Sequence, residues 1–186
     1  MENKCQAKVV IIGESSVGKS SIIIRLIRNS YSNDVESTVG ESLFTKIISI
    51  NGNEIQLNIW DTAGQEKFNA ILPSTFRNAS VVILVFSHDV SESVSKAKHY
   101  FNMAKDIIGS ECKFYVVANK SDQKKDDDFY DISEGEDWAK EIGAKFYEVS
   151  AKNGDNIGAL FNDIAISAVP SIIPPPPPSP HGNCCR

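Results

Sequence analysis

Residues 13–20 read GESSVGKS and stand between two apolar runs, VVII at 9–12 and IIIRLI at 22–27. Few folds accommodate that string in that setting. A strand buried on both faces must give way to a glycine-permitted loop, and the loop must turn at once into a helix, so that backbone N–H groups and the positive end of the helix converge on one point. A phosphate is what such a point attracts. As a bare string, G-x-x-x-x-G-K-S turns up by chance in about one chain in a hundred of this size, and a small-residue turn with a solvated lysine is the competing reading. On the phosphate reading, the stretch Gly13, Glu14, Ser15, Ser16, Val17, Gly18 wraps the anion, with Ser21 a further contact. Lys19 then reaches the β- and γ-phosphates, and Ser20 offers its hydroxyl to Mg²⁺.

The rest of the chain supplies the sheet that such a loop needs. Continuous apolar runs recur as VVILVF (81–86) and FYVVA (114–118), the signature of parallel strands covered on both faces. Between them, Val94, Ala97, Phe101, Ala104 and Ile108 recur at helical spacing. Ser133 with Glu136 reads as a capping box before Trp138, Ala139 and Ile142. Asp155 or Asn156 is placed to cap a last helix carrying Ile157, Leu160, Phe161, Ile164 and Ala168. Strand and helix alternate, which predicts an α/β layered sheet. One antiparallel edge is expected, because Asn51-Gly52 separates two strand-like runs and is the strongest short hairpin signal. In the second run Ile55, Leu57 and Ile59 share one face, while Gln56, Asn58 and Trp60 share the other. Trp60 is therefore either covered by a neighbouring helix or exposed for a partner.

Size and charge bound the function. A chain of 186 residues is one ordinary domain. Its net charge of -5 and scattered Lys and Arg remove the electrostatic reason to expect nucleic-acid binding. No apolar run approaches the roughly 20 residues of a membrane span. The start MENKCQAK has no secretory h-region, and Glu2 rules out N-myristoylation, so a cytoplasmic protein with reduced thiols is expected. From Pro170 the character changes: seven of the eight prolines fall in PSIIPPPPPSPHGNCCR. That composition favours an extended semi-rigid spacer over a ligand for an SH3-type module, and it sets the domains as 1–169 and 170–186. The acidic stretch KKDDDFYD at 124–131 reads as a solvated loop.

Three further motifs carry chemistry. DTAGQ (61–65) follows the strand ending at Trp60. Asp61 at that strand end is placed to hold Mg²⁺ through a water, Gly64 lets the backbone approach a γ-phosphate, and the Gln65 carboxamide can orient a water for in-line attack. NKSD (119–122) ends the strand FYVVA. An Asp122 carboxylate can accept from the N1–H and 2-amino group of guanine, whereas adenine lacks that donor pair. Asn119 would buttress the loop and the stem of Lys120 would lie over the ring. In SAK (150–152), the Ala151 N–H can donate to the guanine oxygen, with Ser150 and Lys152 beside it.

These four blocks, in this order, resemble the Ras superfamily of small GTPases over about residues 7–168, and within it the chain looks like a Rab. LNIWDTAGQEKF closely resembles the Rab segment leading into the second switch, and GESSVGKS and AKHYF are similar to the Rab5-like branch. The resemblance implies a P-loop NTPase-type sheet of six strands, mostly parallel with one antiparallel edge strand, and five helices. It implies a slow GTPase that cycles between GTP and GDP with Mg²⁺, recruiting effectors to membranes in vesicle transport. In STVG, Thr38 aligns with the second Mg²⁺ ligand of the first switch, and Tyr31 with the aromatic that packs against guanine. The implied partners are an exchange factor, a GTPase-activating protein, a GDP-dissociation inhibitor, prenylation machinery and effectors, with the chain itself a monomer.

Departures from the Rab pattern are specific. The aromatic triad that Rabs present to effectors aligns with Leu43, Trp60 and Thr75, so one aromatic survives. Tyr-Tyr-Arg-Gly becomes Thr75-Phe76-Arg77-Asn78, and Tyr-Asp after the fourth strand becomes Phe86-Ser87. Cys184 and Cys185 resemble the double-cysteine end to which Rabs attach two geranylgeranyl groups, which would hold the protein reversibly on the cytosolic face of intracellular membranes. Two rivals remain: a P-loop ATPase or kinase, against which NKSD argues, and a GTP-binding scaffold with little hydrolysis, against which Gln65 argues.

Overall fold

The computed structural model describes residues 5–32, 41–62, 72–87, 89–90, 92–108, 111–123 and 132–168. Thr38, Gly64, Gln65, the acidic stretch 124–131 and the tail with Cys184 and Cys185 lie outside the described residues.

The apolar runs form the middle of the sheet. Strands β1 (Cys5–Gly13), β4 (Val81–Ser87) and β5 (Lys113–Asn119) lie side by side and parallel, and every residue of β4 is buried. Their side chains alternate between two cores. Val9, Ile11, Ile83, Val85 and Val117 enter one, where α1 (Lys19–Arg28) and α5 (Ile157–Ala168) add Ile22, Ile23, Leu160, Phe161 and Ile164. Val10, Ile12, Val82, Leu84, Phe86 and Val116 enter the other. There, α2 (Leu72–Phe76), α3 (Ser93–Lys105) and α4 (Ser133–Glu141) contribute Phe76, Val94, Ala97, Tyr100, Trp138 and Ala139. Each fully buried aliphatic stabilises by about 1.5–3 kcal/mol, which is why a strand with two covered faces must be apolar at every position.

The expected hairpin forms. β2 (Glu41–Ile50) and β3 (Asn53–Thr62) pair antiparallel, with Ile50 opposite Asn53 and Asn51 and Gly52 at φ 50° and 81°. Positive φ at both central residues is the geometry that matches the twist of the flanking strands. With β6 (Lys145–Glu148) beside β5, the order is β2-β3-β1-β4-β5-β6, so the one antiparallel strand stands at an edge of a six-stranded sheet with five helices among the described residues. Ile55, Leu57 and Ile59 are buried, as the period of two predicts. Trp60 is half-buried: it packs against the second core from one side, and the Lys8 ammonium sits 4.9 Å from the centre of its ring.

One capping expectation is corrected, while the other is met in position, the Asn156 carbonyl accepting from the Leu160 N–H at 2.9 Å. Ser133 is the first helical residue of α4; Ile132 holds the capping position, with no side-chain cap, and its carbonyl accepts from Glu136 N–H at 3.0 Å. The helix begins one residue early, which takes Ser133 out of the cap geometry. Asn156 does precede α5, at φ 59°, but its side-chain amide donates to the Glu148 carbonyl at 2.8 Å and ties the helix start to β6.

Candidate nucleotide and metal site

The parallel strands all end at one rim, and register fixes which residues meet there. Gly13 lies opposite Val85, Ile11 opposite Asp61, and Ser87 opposite Asn119. Gly13 is forced at its position: a Cβ there would stand 2.1 Å from the Val85 carbonyl oxygen. The chain then loops through Glu14–Val17 to Gly18, at φ 92°, and α1 starts at Lys19 without a side-chain cap. The first-turn N–H groups of α1 thus face the loop without a side-chain acceptor at the cap.

Lys19 is 6% exposed and its ammonium donates to the Gly13 carbonyl at 3.0 Å and the Glu14 carbonyl at 2.9 Å. Burial pushes it down to about 8, against the pull of Asp61 and Glu14. A cation held in so dry a place is short of negative charge. The Ser20 hydroxyl donates to Asp61 Oδ2 at 2.5 Å. An alcohol and a carboxylate side by side are hard oxygen donors of the kind Mg²⁺ takes, and they fit that ion. Glu14 accepts from the Ser15 N–H at 2.7 Å, and its other oxygen lies 3.9 Å from Lys96 of α3.

Beside the loop is a cavity of about 100 Å³ lined by Gly18, Ser21, Tyr31, Asn119, Lys120, Asp122, Ala151 and Lys152, which the sequence had selected, and by Gln123, which it had not. Asn119 is buried and works in two directions: its amide donates to the Val17 carbonyl at 2.8 Å and its oxygen accepts from the Ala151 N–H at 3.2 Å. Gly18 has to be glycine here too, because a Cβ would stand 2.4 Å from Asn119 Nδ2. The Asp122 carboxylate accepts from the Ser150 hydroxyl at 2.5 Å, and its second oxygen lies 3.9 Å from Lys152. Tyr31 is 39% exposed at the mouth.

Several residues of this site were not picked from the sequence. Lys120, at φ 66°, reaches Asp89 Oδ2 at 2.7 Å, while Ser87 donates to Asp89 Oδ1 at 2.7 Å. Burial works to raise the Asp89 carboxyl, but the bonds from Lys120 and Ser87 outweigh it and hold it below the usual range. The serine at the Phe86-Ser87 departure therefore feeds a carboxylate two residues on, a placement only the folded loop reveals. Arg25 is a second such residue, bonded to the carbonyls of Ala151 and Lys152 from 126 and 127 positions away.

The three aligned effector positions are not equivalent. Leu43 is 55% exposed and pairs across the hairpin with half-buried Trp60. Thr75 is buried, its hydroxyl donating to Glu41, so in this arrangement it does not present its side chain to a partner. A roomier hollow of about 500 Å³ opens near Ser80, Lys113 and Ala168, and none of the candidate nucleotide or metal residues lines it.

Comparison with known proteins agrees with the geometry. A family model described as Ras family matches residues 8–169. Ras-related protein Rab-21 of Mus musculus is 37% identical over 157 residues, covering 84% of this chain and 70% of that protein. Ras-related protein Rab-21 of Geodia cydonium is 35% identical over 162 residues, covering 86% and 69%. Ras-related protein SEC4 of Saccharomyces cerevisiae is 34% identical over 158 residues, covering 85% and 73%.

Proposed function

This chain belongs to the Ras family and within it is a Rab-family small GTPase, and from that premise we propose that it is a guanine-nucleotide switch that hydrolyses GTP slowly and recruits effectors to intracellular membranes in vesicle transport. The observation that carries the reading is Asn119, which bonds to the carbonyl of Val17 in the phosphate loop and to the N–H of Ala151 in the base loop, making one site of the two.

Asp122, pre-oriented by Ser150, reads the two donors on the guanine edge, and the Ala151 N–H serves the base oxygen. Lys19 supplies a buried cation to the phosphates. Ser20, Thr38 and, through water, Asp61 would hold Mg²⁺, which when bound neutralises phosphate charge. Gln65 orients the attacking water, and Thr38 and Gly64 tie the two switch segments to the γ-phosphate, so that hydrolysis releases both. Unassisted turnover is on the order of 10⁻⁴ to 10⁻³ per second, the range of a Ras-type site without an arginine supplied in trans. An exchange factor, a GTPase-activating protein and a GDP-dissociation inhibitor complete the cycle.

Among the described residues no helix is long and apolar enough to cross a membrane. Residues 170–186 serve as a spacer, and prenyl groups on Cys184 and Cys185 give the two chains that stable anchoring takes, since one binds only marginally. Exposed Leu43 beside Trp60 offers the effector-facing patch.

The test is GTP and ATP binding with single-turnover hydrolysis on the full chain, with and without Mg²⁺. Tight, Mg²⁺-dependent, guanine-selective binding with slow turnover is expected. Binding without turnover would replace the switch by a scaffold, and a preference for ATP would overturn the base assignment.

A further inference from the structure

Arg25 stands in the second half of α1, six residues beyond Lys19, yet its guanidinium reaches the loop that follows β6. Nε donates to the Ala151 carbonyl at 2.8 Å, one terminal nitrogen donates to the Lys152 carbonyl, and the other to the Asn29 carbonyl at 3.0 Å. Asn29 is itself fixed as the left-handed cap of α1, with its N–H on the Arg25 carbonyl at 3.0 Å, so the guanidinium is aimed by its own helix. The loop has been shaped to receive it: Gly154 sits at φ 93°, a conformation that suits glycine, and the place of its Cβ is 3.6 Å from Arg25 Cδ.

We propose that Arg25 is a positioning residue for base recognition, holding the 150–152 loop so that the Ala151 N–H points at the base oxygen; this rests on the guanine reading above. Peptide groups are planar, so clamping the carbonyls of Ala151 and Lys152 fixes two successive planes. The preceding plane is fixed by Gly154 N–H on the Ser150 carbonyl at 2.8 Å. That plane carries the Ala151 N–H, which donates to Asn119 Oδ1 at 3.2 Å and is the donor the base oxygen would share. The same rigid helix begins with Lys19 and Ser20, and six residues at 1.5 Å put the clamp about 9 Å further along its axis. Helix α1 thus sets the span between the phosphate end and the base end. A planar fork is required, because an ammonium cannot direct two donors along fixed lines to two carbonyls.

The experiment measures dissociation constants of the full chain for GDP, 6-thio-GDP and ADP, with thermal unfolding of the nucleotide-free protein. In 6-thio-GDP a poor acceptor replaces the base oxygen, while the edge read by Asp122 is kept. The wild type should prefer GDP over 6-thio-GDP by about tenfold, the worth of one hydrogen bond. In Arg25→Gln and Arg25→Lys that ratio should fall to within about twofold, through weaker GDP binding, while 6-thio-GDP affinity barely moves. Equal weakening of both nucleotides, an undiminished ratio, or a wild type indifferent to the sulfur substitution overturns the proposal. A wild type that does not prefer GDP to ADP would instead remove the guanine reading beneath it.

Discussion

The Ser20 hydroxyl and the Asp61 carboxylate, 41 residues apart in sequence, meet at 2.5 Å across the mouth of the phosphate loop. The hydroxyl spends its proton on the carboxylate, which leaves its oxygen lone pairs for a divalent cation while Asp61 can act on that ion through a water. Ser20→Ala is expected to leave Mg²⁺-free GDP affinity within a few-fold of wild type, and to cost at least about tenfold of the tightening that Mg²⁺ brings. Titrating GDP with and without Mg²⁺ checks it; full tightening in the variant would take Ser20 out of the metal site.

Asp122 is held by Ser150 and flanked by Lys152, so its carboxylate is presented rather than free to rotate. Asp122→Asn turns one acceptor into a donor. It should weaken guanine nucleotides by at least about a hundredfold and favour xanthine, whose edge has an acceptor there. Competition between GDP and xanthosine diphosphate reads the result, and an unchanged order of preference would contradict the assignment.

Lys19 is costly to keep, because burial is the larger influence on it and pushes its pKa down to about 8. Lys19→Met should abolish nucleotide binding yet raise the melting temperature of the nucleotide-free chain, by removing an under-compensated cation. A melting temperature below that of wild type would show that the bonds to Gly13 and Glu14 outweigh desolvation.

Gly135 in α4 looks replaceable, since alanine is better by about 1 kcal/mol inside a helix. The structure reverses that expectation: a Cβ would stand 2.4 Å from Phe86 Cζ, and Phe86 is fully buried against Phe146. Gly135→Ala should cost about 1–3 kcal/mol in urea unfolding. A gain in stability would mean the Phe86 ring has room to turn.

Cys112 gives a pH dependence with a definite sign. Burial pushes its thiol from 9.0 up to about 11. The unfolded chain therefore loses this proton first, so the contribution is intact below about pH 9 and is lost as pH rises towards 11. The margin by which wild type exceeds Cys112→Ala in urea should shrink between pH 8.5 and 10.5, about the window the shift defines. A constant margin would contradict it.

How much of this was legible in the sequence depends on distance along the chain. The strands at 9–12, 81–86 and 114–118 announce themselves because two-sided burial demands unbroken apolar runs, and Asn51-Gly52 does because its turn needs positive φ twice. The positions of Gly13, Lys19, Ser20, Asp61, Asn119 and Asp122 at one rim of the sheet were readable because strand ends and loop starts fix where they project. Ser133 misled because a capping pattern does not state where its helix begins. Thr75 misled because alignment says nothing of rotamer or cover. Arg25 and Asp89 could not have been found locally: one looks like an ordinary polar residue on a helix, the other like loop filler, and each acquires its partner only when distant segments close on it.

The pair of hydrogen bonds that Asn119 makes, one to Val17 and one from Ala151, has a consequence for synthesis on the ribosome. The phosphate loop leaves the exit tunnel among the earliest segments, but its clasp is residue 119 and the clasp's second hold is residue 151. At about 5–20 residues per second the loop waits many seconds without its brace. A truncated nascent chain therefore has the motif without the site, and nucleotide loading reports that the last strand and helix have docked.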